Sequence, residues 1–465
     1  MESPQTPEPA TVHNIVFGAL RRNLAGALHE PGVPAYDELA TPWNLAVQAS
    51  PAAVVEAANP GDVAEVVKFA AANGLLVAVQ ATGHGIASEM DGALLIHTRA
   101  LDTFVLDVDK RTARIGAGVT WKTILSACEG VGLTGLSCSA PGVSVAGYTS
   151  GGGIGPMART FGAASDRVRS FEVVTGDGEL HQVSAQSDPE LFWGLRGGKG
   201  SLGIITGMEF ELLELPFIYA GALFFDAFHV ENVLRTWAQW CPTLPGAATT
   251  SVAMMQLPPL PGVPEPLAGK FTIAVRYVYI GTADDGATWL APMRSAGSLL
   301  MDAVGPMPSS MIGMVHSDPE DPLPAAEGHT LLADFPVAAA TSLLEAAGPD
   351  SSSPQLMVEI RQFGGALAQE PAVPSALCHR DAPFGLCTVG VGPPPVLPAF
   401  RAHAGDLMTN MSPWAYGGTL PNFSAGSGAA GFAGNYTPAV LGKLTALAEY
   451  FDPSNVFRLG QVPER

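Results

Sequence analysis

At 465 residues the chain is too long for one ordinary hydrophobic core, which points to two domains or to one domain carrying a large insertion. A formal net charge of −20 without a basic cluster argues against nucleic acid or an anionic membrane surface as a partner, and no stretch approaches the about eighteen apolar residues of a membrane span. Five scattered cysteines (Cys128, Cys138, Cys241, Cys378, Cys387) lack CxxC spacing, which disfavours zinc and a disulfide framework, and the acidic, Pro-rich start without a basic-then-apolar order is that expected of a cytoplasmic protein.

In chain order, HNIVFGALRRNLAGAL predicts an introductory helix over 10–28, ended by Pro31 and Pro34. The stretch from Thr41 to Gly85 reads strand, turn, helix, strand, with Asp62 expected to cap the helix and Gly74 to close it. Two strands in a hairpin around Asp109-Lys110 and a helix from Thr120 to about Gly130 follow. Gly176-Asp177-Gly178 between alternating runs marks a second hairpin over 168–184, after which come a short helix, a glycine turn and a strand ending near Leu215. Beyond Pro216 the runs 271–281, 356–365 and 384–392 alternate as an antiparallel sheet with one covered face does, and amphipathic helices are expected near 230–243, 286–296, 336–347 and 396–410. A last helix runs to Tyr450 or Phe451 before an Asp-Pro turn.

Two uncharged or nearly uncharged glycine loops carry the chemistry. VAVQATGHGIAS (77–88) is an apolar strand that breaks into Thr-Gly-His-Gly, a sequence able to turn sharply and aim amides at an anion; PGVSVAGYTSGGGIG (141–155) is the second. Together they read as two walls around a pyrophosphate-bearing cofactor. Gly153-Ile-Gly-Pro-Met-Ala158 imitates the dinucleotide fingerprint GxGxxA, with Asp177 as its ribose ligand, but Gly162 cuts the following helix short. Gly197-Gly-Lys-Gly-Ser201 shares only composition with a phosphate loop. His84 is either a loop histidine or, flanked by Gly83 and Gly85, a nucleophilic point of covalent cofactor attachment. Cys138 reads as a small buried hydrophobe, and Glu359 with Arg361 on one strand face reads equally well as a simple surface ion pair.

Four segments taken together resemble the berberine-bridge-enzyme-like FAD-linked oxidases, flavoproteins of the vanillyl-alcohol-oxidase or PCMH type: QATGHGIASEMDGALLIHT, APGVSVAGYTSGGGIGPMARTFGAASDRVRSFEVVTGDGEL, DPELFWGLRGGKGSLGIITGMEFEL and AEYFDPSNVFRLGQ. The resemblance implies an α+β fold: a bipartite PCMH-type FAD-binding domain with an inserted substrate domain built on an antiparallel sheet with helices. On that basis residues 1–42 are a lead-in, 43–215 the FAD-binding domain, 216–425 the substrate domain, and 426–465 a segment returning to the first domain.

The resemblance also implies a flavin bonded through its 8α-methyl to His84. FAD contacts are expected from Ala81, Thr82, Gly83, Gly85, Ile86 and Ala87, from Gly142, Val143, Val145, Gly147, Gly152 and Gly153, and from Gly203, Ile204 and Ile205. The second cysteinyl link of many relatives falls on Ala140 here, so a single linkage is favoured, with Cys138 left as an oxygen gate or second link. Tyr436 and Glu359 are the candidate bases, His379-Arg380 resembles a substrate-orienting pair, and Leu420 stands where relatives often carry an aromatic. The implied reaction removes a hydride from a small secondary-metabolite or sugar-like substrate and reduces O2 to H2O2. A dehydrogenase with another electron acceptor and a flavin-containing binder without catalysis are the alternatives.

Overall fold

The computed structural model describes residues 16–85, 90–424, 428–459 and 461–464. A four-stranded sheet runs in the order Ala27–His29, Ala53–Glu56, Leu94–His97, Val77–Gln80, its last three strands mutually parallel. Parallel neighbours need a crossover, and the helix Pro60–Asn73 supplies it, closed at Gly74 by a left-handed φ of 65°. The chain then builds a five-stranded antiparallel sheet, ordered Phe104–Asp107, Thr112–Gly116, Ile204–Glu211, Val168–Val174, Leu180–Ser184. Both hairpins expected from the sequence, at Asp109-Lys110 and Gly176-Asp177-Gly178, lie in it.

Two readings of the start of the chain need correction. The described part of the introductory helix is only Gly18–Asn23, and Ala27–His29 is instead an edge strand on Ala53–Glu56. Asp62 is not the cap: Asn59 is, its side chain accepting from the Asp62 amide at 3.1 Å. The Asp62 carboxylate is freed to accept from the amides of Ala25, Gly26 and Ala58 at 2.8 to 2.9 Å, which fastens the lead-in strand to the helix N-terminus. Helical spacing in the sequence could not see that non-local partner.

The second half of the chain forms an eight-stranded antiparallel sheet. Its main path is Leu299–Asp302, Phe217–Asp226, Phe271–Tyr279, Ala248–Gln256, Met357–Gln362, Phe384–Val391, Ala325–Leu332, with Gly305–Pro308 pairing the Phe217–Asp226 strand. The helices Val230–Trp240, Ala283–Arg294, Val337–Ala347 and Leu397–Asn410 fall where the sequence places them. Leu234, Trp237, Leu290, Leu343 and Leu407 from these helices join Val252, Val275, Ile360 and Leu386 of the strands in one apolar core.

Because side chains alternate along a strand, burying that set on the helices turns its complement toward the first half of the chain. There Arg159 joins the halves, donating from Nε to Ala248 O at 2.7 Å and from Nη1 to Phe363 O at 2.5 Å. The final helix, Pro438–Phe451, returns to the first half: Leu444 shares a core with Leu191 and Phe192, and Lys443 pairs with Glu190 at 2.6 Å. The architecture is therefore α+β, with an antiparallel sheet inserted between two parts of one core.

Candidate functional site

The strand Val77–Gln80 ends in a bend whose tightness has a visible cause. Gly83 has φ 77°, and a Cβ there would stand 2.6 Å from the Trp43 amide nitrogen, so only glycine lets the bend pack on the Pro42-Trp43 backbone. This packing fixes the next residue. The His84 ring lies stacked on Trp43, centroids 4.8 Å apart and planes 19° apart, and its Nδ1 is 3.1 Å from Thr82 Oγ1. Burial lowers the His84 pKa to about 4, with Asp318 opposing weakly, so the imidazole is neutral at pH 7 and keeps its lone pair.

Facing this bend is the polar side of the large sheet, whose pairing register sorts it into rows. One row holds Glu327, Val389, Met357 and Met255; the next His329, Cys387, Glu359 and Ala253; the next Leu331, Gly385, Arg361, Ser251 and Arg276. Glu359 is fully buried and receives Arg276 Nη1 at 2.6 Å, Arg361 Nε at 2.7 Å and Ser251 Oγ at 2.7 Å, with His316 Nε2 at 3.5 Å. Burial alone would raise its carboxyl, but Arg361, Arg276 and His316 hold it well below the usual carboxylate range. The reading of Glu359 and Arg361 as a surface ion pair is thus overturned, since the face that carries them is covered by Ile154, Gly155 and Pro156 of the second glycine loop. A cleft between that loop and the sheet is lined by Gly155, Thr250, Ser251, Arg276, His316 and Arg361.

Arg361 lies over the Phe423 ring at 5.2 Å, and His329 stacks on the same ring at 5.1 Å. Burial, and Arg361 after it, lower His329 to about 3, so it too is neutral. Glu327 differs from Glu359 in having no cation paired with it among the described residues, and its side chain is exposed. Crowding by protein and then Asp318 raise its carboxyl above the ordinary value. It lies two residues into the strand Ala325–Leu332, whose start is tied to the bend's support: Asn44 Nδ2 donates to Ala325 O at 3.0 Å, one residue from the Trp43 that carries His84.

The other expected residues fall as follows. Ala81, Thr82, Gly83 and Gly85 flank His84 on the bend, while Ile86 and Ala87 lie outside the described residues. The amides of Val143, Ser144 and Val145 bond to Ala140 O, Thr82 Oγ1 and Val119 O, so any FAD contact at Val143 and Val145 is not made by their amides. Gly142 and Gly147 are different, because a side chain there would meet nothing within 4 Å. Gly152 and Gly153 pack on Leu377 and on Ala164 and Tyr148. Gly203 precedes Ile204 and Ile205, which start a buried strand paired with Val174 and Val173. Cys138 is buried and donates its thiol to Ala140 O at 2.9 Å, and burial pushes that thiol up to about 12.

Tyr436 is buried, donates its hydroxyl to Gly197 O at 2.7 Å, and is pushed by burial well above its ordinary value, opposite to what a tyrosinate base requires. Arg380 is engaged by Asp166 at 2.6 and 3.1 Å and is not among the residues lining the cleft, and Leu420 packs with Ile154, Phe363 and Leu377. Sequence reasoning missed Trp43, Arg276, His316, Glu327, His329 and Lys199. Arg276 alone had a local signal, a cation inside the apolar run 271–279.

The residues present fit a flavin dinucleotide. Side chains at Gly142 and Gly147 would meet open space, and in or just before the same loop Ser137 Oγ, Tyr148 OH and Thr149 Oγ1 are buried without a hydrogen-bond partner among the described residues. Residues 51–184 match the family model of an FAD binding domain. (R)-6-hydroxynicotine oxidase of Paenarthrobacter nicotinovorans is 28% identical over 293 residues, 61% of each chain, and the FAD-linked oxidoreductase fogF of Aspergillus ruber is 28% identical over 56% of this chain and 52% of its own. The chain thus spans less than two thirds of the length of these curated relatives. Among solved structures, 6-hydroxy-D-nicotine oxidase from Arthrobacter nicotinovorans superposes with a TM-score of 0.80 at 23% identity, covering 94% of this chain and 97% of that one. No described helix is long and apolar enough to cross a membrane. Residues 51–184 are therefore similar to an FAD binding domain, and the chain shares the fold of 6-hydroxy-D-nicotine oxidase.

Proposed function

We propose that this protein is an FAD-dependent oxidase that carries its flavin covalently on His84 and removes a hydride from a small-molecule alcohol or amine-bearing carbon, with O2 as the final acceptor and H2O2 as product. The observation that carries the reading is His84 itself: a neutral imidazole stacked on Trp43 and held to Thr82 in the Thr-Gly-His-Gly bend. An attachment residue must be unprotonated and held still, and the stack and the burial provide both. When bound, FAD supplies the hydride acceptor. The Cys138 thiol, held protonated by burial, is a poor nucleophile, which supports one linkage through His84.

The chain's own groups divide the remaining work. Arg361 and Arg276 present positive charge to the cleft, and Glu359 fixes their geometry. Glu327, unpaired and open on the same sheet face, takes the proton that leaves with substrate oxidation, and neutral His329 beside it can accept or pass a hydrogen bond. The test is acid precipitation with intact-mass analysis. Wild type and Cys138→Ala retain yellow colour and the added flavin mass in the pellet, and His84→Ala releases both. Reduction of the loaded protein followed by air then yields peroxide; slow reoxidation without peroxide would instead mean a dehydrogenase. Colour retained by His84→Ala would overturn the assignment.

A further inference from the structure

Lys199 lies in the glycine turn of residues 197–200 and is used by none of the steps above. Its backbone has φ 58°, a left-handed conformation unusual for a side chain of this size, and its amide bonds to Ser150 O at 3.0 Å. That geometry turns the side chain inward between the two glycine loops. Nζ donates to Asn422 Oδ1 at 2.7 Å, and Asn422 Nδ2 donates in turn to Tyr148 O at 2.7 Å. Both loops leave room for the chain: a Cβ at Gly151 would stand 2.9 Å from Lys199 Cε and 2.1 Å from Asn422 Oδ1, and one at Gly85, the residue after His84, would stand 3.7 Å from Nζ.

Among the described residues no carboxylate pairs with this ammonium and a single side-chain oxygen accepts from it, whereas Arg276 and Arg361 share Glu359 and the buried Arg159 and Arg196 are each met by several backbone carbonyls. Burial lowers Lys199 to about 8, with no neighbouring charge contributing to the shift. A desolvated ammonium with one amide oxygen for company is costly, and such a group persists where a ligand brings the missing negative charge.

We propose that Lys199, steered by Asn422, is the cation that faces the isoalloxazine ring of the bound flavin and stabilises the negative charge the ring gains on reduction. This rests on the flavin reading above. Two electrons and one proton delivered to the oxidised ring leave it with one net negative charge, and a fixed ammonium beside it raises the reduction potential without itself changing protonation state. The FAD diphosphate is the competing source of negative charge. The ring is favoured because Nζ reaches from Gly151 to the residue adjoining His84, the position that tethers the ring in the proposed function.

The experiment uses flavin-loaded wild type, Lys199→Met and Lys199→Arg, with flavin content, midpoint potential by dye equilibration, and affinity for sulfite, which adds to electron-poor flavin and leaves the same negative charge on the ring. The expected result is near-normal flavin content in all three, at least tenfold weaker sulfite binding by Lys199→Met, and a potential lowered by about 30 mV or more, the two-electron equivalent of tenfold. Lys199→Arg recovers most of both. Unchanged potential and sulfite affinity in flavin-loaded Lys199→Met would overturn the proposal. So would a Lys199→Met protein that has wild-type circular dichroism but takes up no FAD, which would assign the charge to the diphosphate. A wild-type protein that binds no FAD would refute the flavin reading itself, and this proposal with it.

Discussion

Glu359 and Glu327 lie one row apart on the same sheet face, and their surroundings give them opposite protonation habits. Removing the Glu359 carboxylate would leave Arg276 and Arg361 buried without compensation, so Glu359→Ala is expected to cost about 3–5 kcal/mol of stability, read by urea unfolding. A loss below about 1 kcal/mol would show that the cleft is wetter than its burial implies. Glu327→Gln removes no ion pair and is expected to fold normally. Its effect appears in the reductive half-reaction. The wild-type rate of anaerobic flavin bleaching should rise with pH through an ionisation above the ordinary carboxylate range, because only the deprotonated group accepts a proton, and Glu327→Gln should be slower by about 100-fold or more and lack that ionisation. A variant with the wild-type pH profile would remove Glu327 from the reaction.

At the scale of elements, the sequence was most legible where a pattern is local. The alternating runs at 271–281, 356–365 and 384–392 became the strands Phe271–Tyr279, Met357–Gln362 and Phe384–Val391. The Gly-Asp-Gly hairpin, the four amphipathic helices and the Thr-Gly-His-Gly bend were equally readable, since turn chemistry and periodicity act within a few residues. What escaped reading depends on partners far along the chain. Trp43 finds His84, Glu359 gathers cations from 276 and 361, and Lys199 meets Asn422, contacts fixed by strand order that no window of sequence contains. Asp62 shows the same limit within one element. Its spacing suggested a cap, but its carboxylate holds three amides of the lead-in and the helix entry. Asp62→Ala should therefore do more harm than a lost cap: about 3 kcal/mol from charged hydrogen bonds left unmade, with the segment before residue 30 becoming protease-sensitive ahead of global unfolding. Asn59→Ala, which removes the true cap, should cost only about 1 kcal/mol. Equal costs for the two would refute this division of labour.

For the whole molecule, burial of imidazoles in both halves of the chain makes stability depend on keeping histidines neutral. Burial lowers His97 to about 4, with Arg99 adding to the effect, and lowers His329 to about 3; in the unfolded chain both return to about 6.5. Because the folded values are depressed, unfolding below pH ~6.5 takes up protons that the folded state refuses. Their contribution is intact at neutral pH and is lost as pH falls from about 6.5 toward the folded values. Two protons correspond to a slope of up to about 3 kcal/mol per pH unit, and Glu359, whose carboxyl is also depressed, adds a third proton of the same sign once the pH passes the ordinary glutamate value of about 4.3. The protein should be markedly acid-labile, with urea midpoints dropping between pH 6.5 and 5 well before most carboxylates titrate. Neither His97 nor His329 is the proposed flavin attachment point, so their part of the slope persists in the loaded protein, whereas that of His84, also lowered to about 4 by burial, is present only in the unloaded one. His329→Phe keeps a flat ring on Phe423 and removes one titrating group, so it should flatten the profile by about one proton. A stability that stays constant from pH 7 to 5 would mean that water reaches these imidazoles and, at His329, the polar face of the large sheet.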